Sequence, residues 1–443
     1  MPPETELTTD TLSELLTELT AEHRVPGAQL AVRLAGRTIE VVAGEETAGS
    51  GVPMTESSAV PLGSLTKPFT ATLAMMLVDD GDVELDAPLT EYLPELRHPV
   101  TLRQVLSHSG GLASNVPELT DDGISRKRWI AEHCGARALV HEPGTVFSYS
   151  NIGYLLAGHL VETITGMTWS EAVGSVLLRP LGIEPSFVVG APSARPAVDG
   201  HNVQLGLGRV RPVAAQTLPL VEEPTGALAL SAADLLVFAR AQLDGKLLGD
   251  DLAAETRRDA VARFEVGPFG IADGCGLGWT LYNEEGTTWC GHDGNAEGTS
   301  CHLRFDPADG TVIALATNAN TGIALWEDLV TALRERGVGV ANYLFSTLPD
   351  DPDPVPGEPG CAGTYVNNEE EFTIVAENDH FFLALDGERH SALTFFPGLR
   401  FTMRELDGGR MTYTGRFTRA DGTGPIDGIQ VIGRLARRTG RAP

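Results

Sequence analysis

Ser64 and Lys67 stand three residues apart in Val60-Pro61-Leu62-Gly63-Ser64-Leu65-Thr66-Lys67-Pro68-Phe69-Thr70. Three residues is nearly one helical turn, so both side chains project from one face. A serine hydroxyl is a weak nucleophile until a neighbouring group accepts its proton. An amine can accept it when burial or nearby cations lower its pKa. The chain has three lysines, Lys67, Lys127 and Lys246, against 29 arginines, and only Lys67 has a serine three positions before it. Taken alone, the pair also fits a solvated helix start capped by Ser64. Pro68 cannot donate to the Ser64 carbonyl four residues back, which predicts a local kink beside the hydroxyl.

Two further clusters supply what the pair lacks: Tyr149-Ser150-Asn151 and His292-Asp293-Gly294. Both patterns have rivals in Tyr365-Val366-Asn367, His108-Ser109-Gly110 and His133-Cys134-Gly135. Context separates them. Tyr365 lies beyond a Pro/Asp-rich stretch, His108 closes a short helix, and His133 sits in a charged insertion. His292 lies in a run of strands and is followed by a glycine turn, where a sheet edge can wall an acylation site. Asp293 is expected to face solvent. Cys290, His292, Cys301 and His302 fit no common zinc spacing, and strand alternation accounts for them better. No metal or other cofactor is expected.

The elements that must hold these clusters follow from periodicity. Leu12, Leu15, Leu16 and Leu19 mark a helix over 9–24, stopped by Val25-Pro26-Gly27. A hairpin follows over Ala28–Val42. The Ser64 segment runs as an apolar helix to a Gly81 stop. Thr101–Leu106 is a short helix, 114–142 a charged insertion, and Ile152–Thr165 and Trp169–Leu178 are helices. Ser193–Pro224 reads as a long loop near a site. Ser231 caps a helix through Leu243. Strands Leu277–Tyr282, Thr287–Cys290, Ser300–Phe305 and Thr311–Ala316 precede a closing helix, Ile323–Arg336. The expected fold is α/β (α+β): an antiparallel sheet covered by helices. Beyond a Pro/Asp linker at 348–360, short strands split by turns predict a small all-β domain over 361–443, a lipocalin-like barrel or a sandwich. The catalytic domain is then 1–347.

At 443 residues and a formal charge of −28, the chain repels phosphates and anionic lipid, so neither nucleic acid nor a membrane is expected as partner. Met1-Pro2-Pro3-Glu4-Thr5-Glu6 is acidic with no apolar run behind it, and no stretch is apolar enough to span a bilayer, so a cytoplasmic location is expected. Five cysteines without a framework read as reduced structural thiols. Arg434, Arg437, Arg438 and Arg441 are the one cationic cluster. They read as a solvated end, with an acidic carrier protein or a substrate carboxylate as the alternative.

In their order, the three motifs resemble the serine β-lactamase and penicillin-binding-protein family, in the branch with class C β-lactamases, DD-peptidases and related esterases. Leu102-Arg103-Gln104-Val105-Leu106-Ser107-His108-Ser109-Gly110-Gly111-Leu112, Glu142-Pro143-Gly144, Leu178-Arg179-Pro180-Leu181-Gly182 and Phe305-Asp306-Pro307 extend the resemblance over roughly Thr9–Arg336. It implies a helical region plus an α/β region with the site in the cleft between them. Ser64 is then the acylated nucleophile and Lys67 its base. Tyr149 relays protons as phenolate or phenol. Asn151 holds the substrate's acyl amide and the lysine, and the N–H groups of Ser64 and Asn295, next to Gly294, form an oxyanion hole. The chain departs from the family at the third motif, where most members carry Lys-Thr/Ser-Gly. His292 is at most partly charged near neutrality, which disfavours substrates held there by a free carboxylate.

The resemblance leads to two functional expectations and a third to weigh against them. The first is a stand-alone penicillin-binding-protein-type thioesterase of non-ribosomal peptide assembly. It would move a peptidyl group ending in a D-residue from a thioester, possibly carrier-protein-bound, onto Ser64, and close it head to tail. The second is a hydrolase of the same family: an esterase, a D-stereospecific peptidase or a weak β-lactamase. A binding protein that kept only the fold is disfavoured by the intact Ser64, Lys67 and Tyr149.

Overall fold

A computed structural model describes residues 7–116, 123–135, 139–190, 193–213, 216, 218–264, 266, 271–284, 286–343, 348, 352–368, 370–385, 387–406, 412–419 and 422–439. The N-terminal Met1–Glu6, residues 349–351 of the Pro/Asp linker, the turn at Asp407-Gly408-Gly409 and Arg441 lie outside the described residues.

Seven strands form one antiparallel sheet, in the order Arg37–Gly44, Gly27–Leu34, Val312–Thr317, Ser300–Phe305, Thr287–Gly294, Thr280–Glu284 and Gly274–Cys275. Alternation explains its two covered faces. Leu30, Val32, Ile313 and Leu315 pack on helices Thr9–Glu22 and Gly322–Glu335, whereas Ala31, Leu303, Phe305, Ala314 and Ala316 join the core of the helical region. That region is built around helix Lys67–Asp79, which is buried on nearly every side. Phe69 stacks on Phe238 at 3.8 Å, and the Trp169 indole donates to Thr70 Oγ1 at 3.0 Å. Among the described residues no helix is long and apolar enough to cross a membrane.

The chain departs from expectation in three places. Residues Gly63–Thr66 form a 3-10 turn before the helix, and Pro68 is the helix's second residue. First-turn N–H groups have no partner within a helix, so the ring costs no helical hydrogen bond there, and what adjoins the hydroxyl is a change from 3-10 to α winding. The stretch 193–224 is not one long loop: strands Gly200–Gln204 and Arg209–Val213 pair as a hairpin, followed by short helical turns at Leu220–Glu222 and Glu223–Gly226. Arg209-Val210-Arg211 offers no continuous apolar face, so periodicity did not reveal the pairing. The charged insertion carries helix Arg126–His133, capped by Ser125.

The C-terminal domain is a closed eight-stranded barrel rather than a sandwich. Gly363–Asn367 closes it by pairing with the last strand, Arg434–Thr439. Tyr365, Phe401 and Phe417 fill its interior with Ile429 and Ala436. Its last hairpin turns through Ile432 and Gly433, both at positive φ (46° and 73°), with Val431 and Arg434 paired across it. A two-residue turn of that handedness matches the twist of the strands it joins. This tight tip reaches the catalytic body: the Gly433 carbonyl accepts from the Tyr149 N–H at 2.8 Å.

Candidate active site

The 3-10 turn fixes the nucleophile. In such a turn residues three apart eclipse, and Lys67 Nζ lies 2.9 Å from Ser64 Oγ and 3.0 Å from the Thr225 carbonyl. Lys67 is fully buried. Burial lowers its pKa to about 7, opposed by the Glu222 carboxylate and reinforced by Arg434. The amine is therefore a competent base near neutrality.

Ser150 starts helix Asn151–Thr165 by accepting from the Gly153 N–H at 3.1 Å, which sets Tyr149 and Asn151 on either side of the cap. The Tyr149 hydroxyl shares a pocket with Ser64, and burial pushes its pKa up to about 12 although Ser64 pulls the other way. It is a phenol rather than a phenolate, suited to relaying a proton. His108, expected only to end a helix, stacks on the Tyr149 ring at 4.2 Å, and its Nδ1 accepts from the Ser150 N–H at 3.0 Å. Asn151 donates to Asn115 Oδ1 at 3.1 Å. Its own Oδ1 is buried and unpartnered, and Asn151 is not among the acceptors of the Lys67 amine.

The third motif meets the nucleophile through glycine. A side chain on Gly294 would stand 2.0 Å from the Leu62 carbonyl, and one on Gly63 2.1 Å from the Asn295 carbonyl. Only glycine lets the strand end and the 3-10 turn touch backbone to backbone, placing Asn295 beside Ser64 in both flanking pockets. His292 Nδ1 donates to the Asp293 carbonyl at 2.6 Å. That tautomer leaves Nε2 as a lone-pair acceptor, buried and unpartnered. Burial, with Lys67 nearby, pushes the imidazole down to about 4, so it is neutral in use.

Asp293 does not face solvent. Arg304 grips both carboxylate oxygens at 2.7 and 2.9 Å and His302 Nδ1 contacts one at 2.8 Å. Although burial opposes it, these partners hold the Asp293 carboxyl well below the usual range. The network anchors the strand that carries His292.

Two pockets flank Ser64. One, about 230 Å³, is lined by Tyr149, Tyr282, His292 and Asn295 together with Ile432 and Arg434 of the barrel. The other, about 370 Å³, is lined by Asn151, Gln216, Glu222, Thr225 and Asn295. Sequence reasoning missed two charged groups here. Glu222 fell in the stretch taken for a loop; burial raises its pKa to about 7 against the pull of Lys67. Arg434 is not at a solvated end. Its guanidinium lies over the Tyr149 ring at 5.4 Å, with the Glu370 carboxylate 3.8 Å away, beyond hydrogen-bond reach. The rival Asn367 is also used: its side chain accepts from the Ser114 N–H at 2.8 Å and donates to the Leu435 carbonyl at 3.0 Å, tying barrel to cleft.

A half-buried serine against a fully buried lysine, with a tyrosine in the same pocket, set between a helical region and an antiparallel sheet, defines a serine hydrolase-type enzyme with a penicillin-binding-protein-like fold. Comparison with known proteins gives the family. The model of the family described as Beta-lactamase matches residues 12–337, and the chain belongs to that family. Penicillin-binding protein 4 of Amycolatopsis lactamdurans is 33% identical over 362 residues, 78% of this chain and 94% of that protein. The crystal structure of SurE superposes with a TM-score of 0.85 at 36% identity, covering 97% of this chain and 99% of that one. D-amino acid amidase from Ochrobactrum anthropi SV3, at 24% identity and a TM-score of 0.63, shares the fold over 74% of this chain and 100% of its own.

Proposed function

We propose that the chain is a serine acyltransferase that takes a peptidyl group from a thioester and closes it on the peptide's own amine, the peptide ending in a D-residue. Neutral Lys67 accepts the Ser64 proton as Oγ attacks the thioester carbonyl. The N–H groups of Ser64 and Asn295 receive the oxyanion. The thiolate departs on the Tyr149 side with the proton that Lys67 took, passed on through the Tyr149 phenol, and the amine enters by the same side facing a neutral Lys67. Tyr149 and Lys67 take the amine's proton and return one to Ser64 when the new amide forms.

The observation that carries this reading is the pocket on the Tyr149 side. His292 Nε2 offers a lone pair where a family lysine would offer a cation, so it can accept a hydrogen bond from an amine N–H. Arg434 enters from the barrel and disfavours the protonated form of an amine there. A neutral amine is the form that attacks. Ile432 and Arg434 also roof the pocket, which limits water as a competing acceptor. On the other side, the unpartnered Asn151 Oδ1 suits the amide N–H of an acyl group. The D-residue draws support from a SurE structure with D-Leu, 36% identical over 97% of this chain.

The test is a peptidyl thioester with a C-terminal D-residue and a free amino terminus, its products read by mass spectrometry. Cyclic peptide is the expected product. Linear acid alone would replace this reading with hydrolysis, and the absence of any acyl group on Ser64 would remove both.

A further inference from the structure

Beside the catalytic pocket, where the catalytic body meets the barrel, runs a groove of about 660 Å³. Five arginines line it, Arg263, Arg416, Arg419, Arg437 and Arg438, against one carboxylate, Asp427. On a chain of formal charge −28 this is a local reversal of sign. Arg419 is paired with Glu358. Among the described residues, Arg263, Arg437 and Arg438 have no carboxylate partner: Arg263 donates to the Gly144 carbonyl at 2.9 Å and Arg438 to backbone carbonyls. The Arg437 Nε–H donates to His141 Nδ1 at 3.2 Å. His141 donates from Nε2 to the Leu435 carbonyl at 2.9 Å, so its ring is neutral and leaves the arginine's charge uncompensated.

The groove continues the catalytic pocket along two shared segments. Phe147 lines the groove and Tyr149 the pocket; Arg434 lines the pocket and Arg437 the groove. Three strand residues cover about 10 Å. An extended pantetheine arm is about as long as four residues of extended chain, roughly 14 Å. A thioester sulfur held at Ser64 and leaving on the Tyr149 side would carry such an arm towards the arginines.

We infer that this cationic groove seats the phosphodiester of a phosphopantetheine thioester, making a phosphopantetheine-borne acyl group the preferred donor. The inference rests on the thioester reading above. Arginine matches phosphate geometry through paired N–H donors. The groove acts on donor binding, away from the acceptor amine.

The experiment compares one peptide carried as a pantetheine thioester and as a 4′-phosphopantetheine thioester, with thiol release followed at low salt. In the wild-type protein the KM for the phosphorylated donor is expected to be five- to tenfold lower at similar kcat, an advantage that shrinks as salt rises, and about the scale of one or two charge-assisted contacts. Arg263→Gln, and separately Arg437→Gln, should erode that advantage while leaving kinetics with the pantetheine donor unchanged. Inorganic phosphate should compete with the phosphorylated donor alone. Equal KM values in the wild type, or variants that slow both donors alike, would overturn the inference while leaving acyl transfer standing. Release from neither donor would remove the thioester reading, and the groove's role with it.

Discussion

The two pockets beside Ser64 share the nucleophile and Asn295, yet they set opposite charges near Lys67. The pocket with Asn151 holds Glu222, a carboxyl whose pKa burial raises to about 7. The pocket with Tyr149 holds Arg434 and a neutral His292. Each charge acts on the same amine: Glu222 raises the Lys67 pKa and Arg434 lowers it. The difference teaches that the cation absent from the third motif has been moved rather than lost. It comes from the barrel, so the barrel is a wall of the site and not an appendage.

The comparison presumes that Ser64 takes the acyl group whichever side the acceptor enters. Ser64→Ala should therefore abolish turnover on both sides, by at least about 10⁴-fold, with no covalent acyl adduct in the intact protein mass. An adduct on the variant would place the nucleophile elsewhere. Gly294→Ala should cost about 10²- to 10³-fold in kcat, the scale of losing an oxyanion donor. Its side chain would meet the Leu62 carbonyl and the Leu65 N–H, forcing Asn295 away from Ser64. The loss should fall equally on thiol release with amine or water as acceptor. A loss confined to one acceptor would show that Gly294 belongs to one pocket only.

The two pockets were unequally legible in the sequence. Ser64, Lys67, Tyr149 and Asn151 lie in local motifs whose spacing is fixed by one turn or one cap, so their coming together around one hydroxyl was legible from neighbours along the chain. The sheet and its helices were legible for the same reason, because alternation and helical spacing are local. Arg434 was not. Its place depends on closure of an eight-stranded barrel and on how a two-residue turn docks against Tyr149 N–H, and neither is encoded within reach of Arg434. Glu222 lies in a stretch without periodicity, and Asp293 reads as solvated along the chain because Arg304 and His302 reach it from the neighbouring strand.

Arg434 is where the comparison can be broken most directly. Arg434→Gln should lower the ratio of cyclic to linear product about tenfold, because an amine in that pocket would then hold its proton more readily. Thiol release, which precedes the amine's attack, should change less. Product ratio by chromatography and single-turnover thiol release read the two steps apart. Equal loss in both would make the arginine part of general site structure. An unchanged ratio would leave the acceptor pocket without its cation's role.

The smallest effect should come from Glu222→Gln, and its sign is what matters. Acylation needs neutral Lys67, so the rate rises with pH through the lysine's pKa of about 7. Glu222 favours the protonated amine; without it that pKa falls and the acid limb of kcat/KM moves to lower pH. Arg434 disfavours the protonated amine; without it the pKa rises and the limb moves to higher pH. Only a few-fold change is expected for Glu222→Gln near neutrality, since both forms of the lysine are populated there. A pair of pH profiles displaced in opposite directions would establish that the two pockets oppose each other through one amine. Profiles that do not move would mean that burial alone sets the Lys67 pKa, and that the charges on either side serve the substrate instead.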